Sequence, residues 1–261
     1  MLTLHYLIAI ASGGLVGFTL GLIGGGGSIL AVPLLVYVVG VPSPHVAIGT
    51  SALAVAASAA VNLAGHTRMR TVKWSCAMVF AAAGIVGAAT GAHIGKLVDG
   101  HKLLMLFGVL MVVVGLMMLR PRKSGGNADV KLTLATSMRL LPFLVGTGFS
   151  VGLLSGFFGI GGGFLIVPGL MLATGMPLIN AVGSSLVSVA AFGFTTAASY
   201  AWSGLVDWPL AFLFIGGGAL GGFIGIKLAH RMAGHKHALT LTFSGVVIAV
   251  GIYVIARSIV G

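Results

Sequence analysis

The residues of this chain best placed to do chemistry carry no reactive side chain. They are two glycine runs, Gly24, Gly25, Gly26 and Gly27 first, then Gly159, Gly161, Gly162 and Gly163 with Ile160 inside. Glycine costs roughly 1 kcal/mol against alanine inside a helix, so such runs interrupt helices and permit positive φ. A helix restarting at Ser28 or Phe164 would aim free N–H groups and its positive dipole end into the interruption, which suits an anion. No Gly-Lys-Ser/Thr follows either run, so they do not read as nucleotide phosphate loops.

Hydroxyls and amides form a second set. Thr50, Ser51, Ser184 and Ser185 follow the two runs near helix starts, where an O–H can reach a substrate oxygen. Ser58 and Asn62 share a helical face with Ser51, and Ser188, Thr195 and Ser199 share one with Ser184. In a bilayer such groups must face the bundle interior, toward substrate, a coupling ion or a neighbouring helix. The only acids, Asp99, Asp129 and Asp207, fall in predicted loops. A desolvated cation usually needs an intramembrane carboxylate, so the composition favours anions.

Other polar residues carry secondary readings. Arg68 and Asn62 are candidates for steering or gating, as is His45, whose imidazole near a membrane boundary can titrate. His93 shares that boundary position, and Arg70 the anion-attracting role at a cavity mouth. His235, Lys236 and His237 lack a third ligand and read as a polar loop, so no metal is expected. Cys76 is the single cysteine, which excludes an intrachain disulfide. No nucleophile–base or paired-carboxylate constellation appears, so an enzyme is not expected, nor any cofactor.

The elements that hold these residues are membrane helices. With 58% hydrophobic and 7% charged residues, the chain lacks the polar surface of a soluble domain. Its apolar runs do not alternate as barrel strands do. The net charge of +11 lies mostly in short loops, where it orients the protein in the lipid bilayer and implies no nucleic-acid partner. Met1 to Leu20 lacks a basic n-region and reads as a first helix. Trp74, Trp202 and Trp208 fit an interfacial belt.

The chain is also written twice. Gly17 through Pro33 returns as Gly152 through Pro168, a shift of 135 positions. Ala47-Ile48-Gly49-Thr50-Ser51 returns as Ala181-Val182-Gly183-Ser184-Ser185, a shift of 134. The predicted organisation is an N-terminal transmembrane repeat over 1–119, a polar cytoplasmic linker over 120–139 and a C-terminal repeat over 140–261. Candidate segments fall near 4–22, 27–41, 45–65, 74–97 and 102–119, then 140–157, 162–175, 179–201, 208–229 and 237–257. Five segments per half is odd, which predicts an all-α fold of two inverted-topology repeats with both termini outside. At about 1.5 Å per residue, 27–41 reaches only some 20 Å, so the short segments either re-enter or complete a crossing begun as unwound chain. Pro33 and Pro168 would shape them. The sets Gly13/Gly17/Gly21, Gly87/Gly91/Gly95, Gly148/Gly152/Gly156 and Gly217/Gly221/Gly225 are each spaced by four, lining helix faces for close approach.

The paired Gly-x-Gly-Gly-Gly-hydrophobic-Pro pattern, with Gly-Thr-Ser at Gly49 and Gly-Ser-Ser at Gly183, resembles the TauE/SafE family of sulfite exporters and anion permeases. The resemblance covers both halves. It implies a multi-pass prokaryotic inner-membrane carrier for small sulfur-containing anions such as sulfite, sulfoacetate or another organosulfonate. The residues themselves indicate an alternating-access secondary transporter, with the anion held between the glycine breaks by Gly26, Gly27, Ser28, Gly161, Gly162 and Gly163 and by the four hydroxyls. An anion channel with the same site, or a carrier of another oxyanion or a carboxylate, is the alternative. A coupling ion, H+ or Na+, and a homo-oligomer are both compatible with the sequence.

Overall fold

The computed structural model describes residues 2–119, 134–160, 163–231 and 236–260. Gly161, Gly162, Asp129, His235 and most of the linker lie outside them, as do the side chains of Lys236 and His237.

Every described element is helical. The first half holds α1 (Leu2–Ile23), a composite segment, α3 (Pro44–Arg68), α4 (Trp74–Leu97) and α5 (Gly100–Leu119). The composite segment is a 3-10 helix at Gly24–Leu30, a single α-turn, α2 (Ala31–Pro33), and a π-helix at Leu34–Val39. The second half holds α6 (Leu134–Phe158), α7 (Gly163–Thr174), α8 (Leu178–Trp202), α9 (Trp208–Arg231) and α10 (Lys236–Val260). Seven of these helices are long and apolar enough to cross a bilayer. Their outer faces expose residues such as Val86, Leu116, Phe143 and Phe223, as lipid contact requires.

Local chemistry sets the ends. Pro44 opens α3, and the Ser43 hydroxyl accepts from Val46 N at 3.5 Å. The Asp99 carboxylate caps α5, accepting from His101 N at 3.1 Å and Lys102 N at 3.2 Å. The Lys102 N–H above all holds this carboxyl below the usual carboxylate range. α6 starts at Leu134, inside the stretch read as linker, and Pro142 is accommodated within it.

The first glycine run does not break the chain cleanly. No glycine from Gly24 to Gly27 has positive φ, and winding passes from α1 through the 3-10 turn into α2. The narrower i→i+3 winding dispenses with an unwound link, so Ser28 lies inside a helix rather than at a new start. The second run does break: Gly159 is left-handed at φ 67°, and α7 begins at Gly163.

Helix directions follow from the glycine contacts. A side chain on Gly13, Gly17 or Gly21 would strike Phe214, Gly218 or Gly222 in turn, so α1 and α9 run parallel. Gly87, Gly91 and Gly95 press on Phe149, Leu153 and Phe157 in the same way, so α4 and α6 are parallel too. Gly49 meets Tyr200 whereas Gly193 meets Ala56, so α3 and α8 are antiparallel. Gly108 against Gly251 and Gly115 against Ile248 make α5 and α10 antiparallel. Gly17 and Ser58 both sit on Gly218, and Asn62 on Gly222 with Gly21, so α1 and α3 point the same way. The composite segment therefore carries the chain back from one end of the bundle to the other.

α3 and α8 are the most buried of the crossing helices. On either side of them stand α1 with α9 and α4 with α6. A methyl at Gly17 would collide with the Gly218 backbone, whereas one at Gly146 meets open space. Gly17→Ala is expected to lower stability in detergent by about 1–3 kcal/mol, the usual range for overpacking. Gly146→Ala is expected to leave the melting temperature unchanged or raised, as fluorescence-detected thermal unfolding would show.

Candidate functional site

The site begins with the two hydroxyl pairs, which the fold divides by role. Thr50 and Ser184 are fully buried in the second turns of α3 and α8. The Thr50 hydroxyl accepts from Asp207 N at 3.0 Å, and the Ser184 hydroxyl accepts from Lys73 N at 2.8 Å. Asp207 and Lys73 immediately precede α9 and α4, so each hydroxyl ties down a helix start in the opposite half. Asn180 reinforces one tie, donating from Nδ2 to the Thr71 carbonyl at 2.9 Å. Both hydroxyls act as acceptors here, so their O–H hydrogens remain available.

Ser51 and Ser185 behave in the opposite sense. Each donates back along its own helix, to the Ile48 carbonyl at 2.9 Å and the Val182 carbonyl at 2.7 Å. Their donor capacity is spent, and what they still offer is lone pairs.

The glycine runs lie beside these helices. The 3-10 turn packs on α1, α7 and α8. A Cβ on Gly27 would stand 2.5 Å from the Thr19 hydroxyl, so no side chain fits there. Gly26 lies in the same turn, and Ser28 is fully buried in it. Gly159 rests on Ile48 of α3, and Gly163 is buried at the start of α7. Pro33 ends α2, and Pro168 lies in the middle of α7.

Other predicted residues are dispersed. Arg68 is exposed in the last turn of α3, where its charge also complements the helix dipole. Asn62 is buried deeper in α3, and neither amide atom has a protein partner. His45 is half-buried at the far end, its Nδ1 unpartnered and its ring 6.4 Å from that of Tyr200. Neither Asp99 nor Asp207 enters the bundle interior; Asp207 caps α9, accepting from Leu210 N at 3.1 Å. Two apolar grooves, of about 410 and 170 Å³, open between α1 and α9 and between the composite segment and α10. Neither borders the hydroxyls.

Three further buried residues, Ser155, Thr196 and Tyr200, have unpartnered hydroxyls and carry no motif in the sequence that marks them. Ser155 and Thr196 look like ordinary helix polar residues, and Tyr200 like an interfacial one. Only the repeat gives a signal, because Thr196 and Tyr200 fall on Asn62 and His66 at the shift of 134.

Long apolar helices with a lipid-facing exterior and a few buried hydroxyls define a polytopic helical membrane protein. Residues 9–254 match the family described as sulfite exporter TauE/SafE, and the chain belongs to that family. It is 54% identical to a "Probable membrane transporter protein" of Xylella fastidiosa (strain 9a5c), over 97% of this chain and 95% of the relative. The "Probable membrane transporter protein YunE" of Bacillus subtilis (strain 168) is 29% identical, over 88% and 90% of the two chains. A relative from Methanocaldococcus jannaschii, "Probable membrane transporter protein MJ0441", is 28% identical over 66% of this chain and 65% of its own. No solved structure matches the chain.

Leaving a buried backbone N–H without its acceptor costs about 1–3 kcal/mol. Thr50→Val and Ser184→Ala are each expected to lose that much, read as a lower melting temperature. Thr50→Ser, which keeps the acceptor oxygen, is expected to restore it.

Proposed function

We propose that this protein is a secondary transporter of small sulfur-containing anions, sulfite or an organosulfonate such as sulfoacetate, in a prokaryotic inner membrane. The observation that carries the anion reading is the interior itself. Its buried polar groups are hydroxyls, an amide, the His66 imidazole and closely approached backbone, and among the described residues no carboxylate is buried. Neutral donors in a low-dielectric site favour an anion over a cation. The family description supports sulfite as the first substrate to test.

The halves are taken to be inverted across the bilayer. Antiparallel α3 and α8, antiparallel α5 and α10, and the short loops that follow α3 and α8 all fit such a relation. The end of the bundle with Arg68, Arg70 and Lys73 faces the cytoplasm by the excess of positive charge. Exposed Trp74 at that end, with Trp202 and Trp208 at the other, would mark the two interfaces.

The moving bodies are not the two halves. α1 is seamed to α9 and α4 to α6, so rocking one half against the other would tear both seams. Two mixed bodies, α1–α3–α9 and α4–α6–α8, can instead slide along the antiparallel α3–α8 interface. The composite segment and α7, which touch each other, would ride on them. Thr50 and Ser184 hold α9 and α4 in register and keep an O–H free for the anion.

Liposomes containing the purified protein are expected to take up radiolabelled sulfite faster when unlabelled sulfite or sulfoacetate is trapped inside. Uptake indifferent to the trapped anion would replace the carrier with a channel, and uptake of no anion would sink the reading.

A further inference from the structure

The repeat maps position 62 onto position 196, and both carry buried polar groups without a protein partner. Asn62 is 1% exposed and lacks a hydrogen bond at Nδ2 and Oδ1; Thr196 is 0% exposed and lacks one at Oγ1. Asn62 lies on the glycine face of α9, where a Cβ on Gly222 would stand 2.9 Å from Oδ1 and 3.1 Å from Nδ2. The carboxamide therefore occupies a space that only glycine leaves open.

One turn further on, the repeat maps His66 onto Tyr200, both buried and each on the face of its neighbour four residues back. The Tyr200 hydroxyl is also unpartnered, and Lys96 Nζ lies 5.8 Å from its ring centroid. Buried polar groups without partners are destabilising. His66 is held by the Thr71 hydroxyl at 3.1 Å, so the unpartnered groups at equivalent positions are Asn62 and Thr196, and a ligand rather than packing explains them.

We propose that Asn62 and Thr196 are two oxyanion stations on the transport route, one in each half; this rests on the anion-carrier reading above. Nδ2 of Asn62 and the hydroxyls of Thr196 and Tyr200 are donors, and Lys96 adds positive charge at the outer end. Gly49 against Tyr200, and Gly193 against Ala52 and Ala56, set Thr196 near the level of Ala52 on α3. Asn62 then lies about 15 Å away along the bundle, at about 1.5 Å per residue. One small oxyanion cannot touch both. The Asn62 station is nearer the end with Arg68 and Arg70, the Thr196 station nearer the end with Lys96, and the anion passes from one to the other as α3 and α8 slide.

The test uses sulfite exchange in right-side-out and inside-out vesicles, with the melting temperature of the ligand-free protein measured alongside. Asn62→Leu is expected to raise KM at least tenfold on one face and Thr196→Val on the opposite face. Neither is expected to lower the ligand-free melting temperature, because neither removes a hydrogen bond within the protein. Thr196→Ser is expected to restore wild-type KM. Wild-type KM in both variants, or a rise on the same face in both, would overturn the two stations and leave the carrier reading standing. Lost exchange together with a lowered melting temperature in both variants, unrestored by Thr196→Ser, would assign the residues to packing and overturn the proposal as well. A wild-type protein that exchanges no sulfur anion would overturn the carrier reading and the stations together.

Discussion

Backbone contact between helices is the constraint on which this structure depends. In lipid, apolar side chains gain little by leaving the solvent for one another, so helices associate where their surfaces approach closely enough for dispersion and polar contact. Here α1 meets α9 and α4 meets α6 through glycines facing carbonyl oxygens, with no space for a methyl group. Each seam joins an opening helix of one half to the fourth helix of the other. The halves are thus interlocked.

That interlock explains the split behaviour of the hydroxyls. Because α4 and α9 are held by the opposite half at their sides, their starts can also be fixed from there, by Ser184 and Thr50. A hydroxyl accepting a backbone N–H keeps a hydrogen to donate, whereas Ser51 and Ser185 have given theirs to their own helices. Adjacent residues of near-identical chemistry therefore play different parts. The distinction lies in which neighbour each oxygen meets, and that neighbour comes from the other half of the chain.

The two copies have also diverged locally. Gly24 to Gly27 wind into a 3-10 turn, while the second run breaks at a left-handed Gly159 pressed on Ile48. A serine at Ser28 where the second copy has Gly163 accompanies this difference. The two copies are therefore similar but unequal in local winding.

The sequence by itself determined the helices, their approximate limits, the duplication, the apolar exterior and the glycine faces at spacings of four. These are local properties: hydropathy over a span, propensity at a break and periodicity around a helix act within one segment. It also marked Asn62, Thr50 and Ser184 as interior polar residues, because lipid tolerates them nowhere else. Only the tertiary structure decided which glycine face meets which, that the short segments return the chain across the bundle, and that Thr196 and Tyr200 are buried without partners. Those outcomes depend on contacts between residues more than a hundred positions apart. Glycine spacing specifies that a close neighbour exists, but its identity is fixed only when all the helices pack at once.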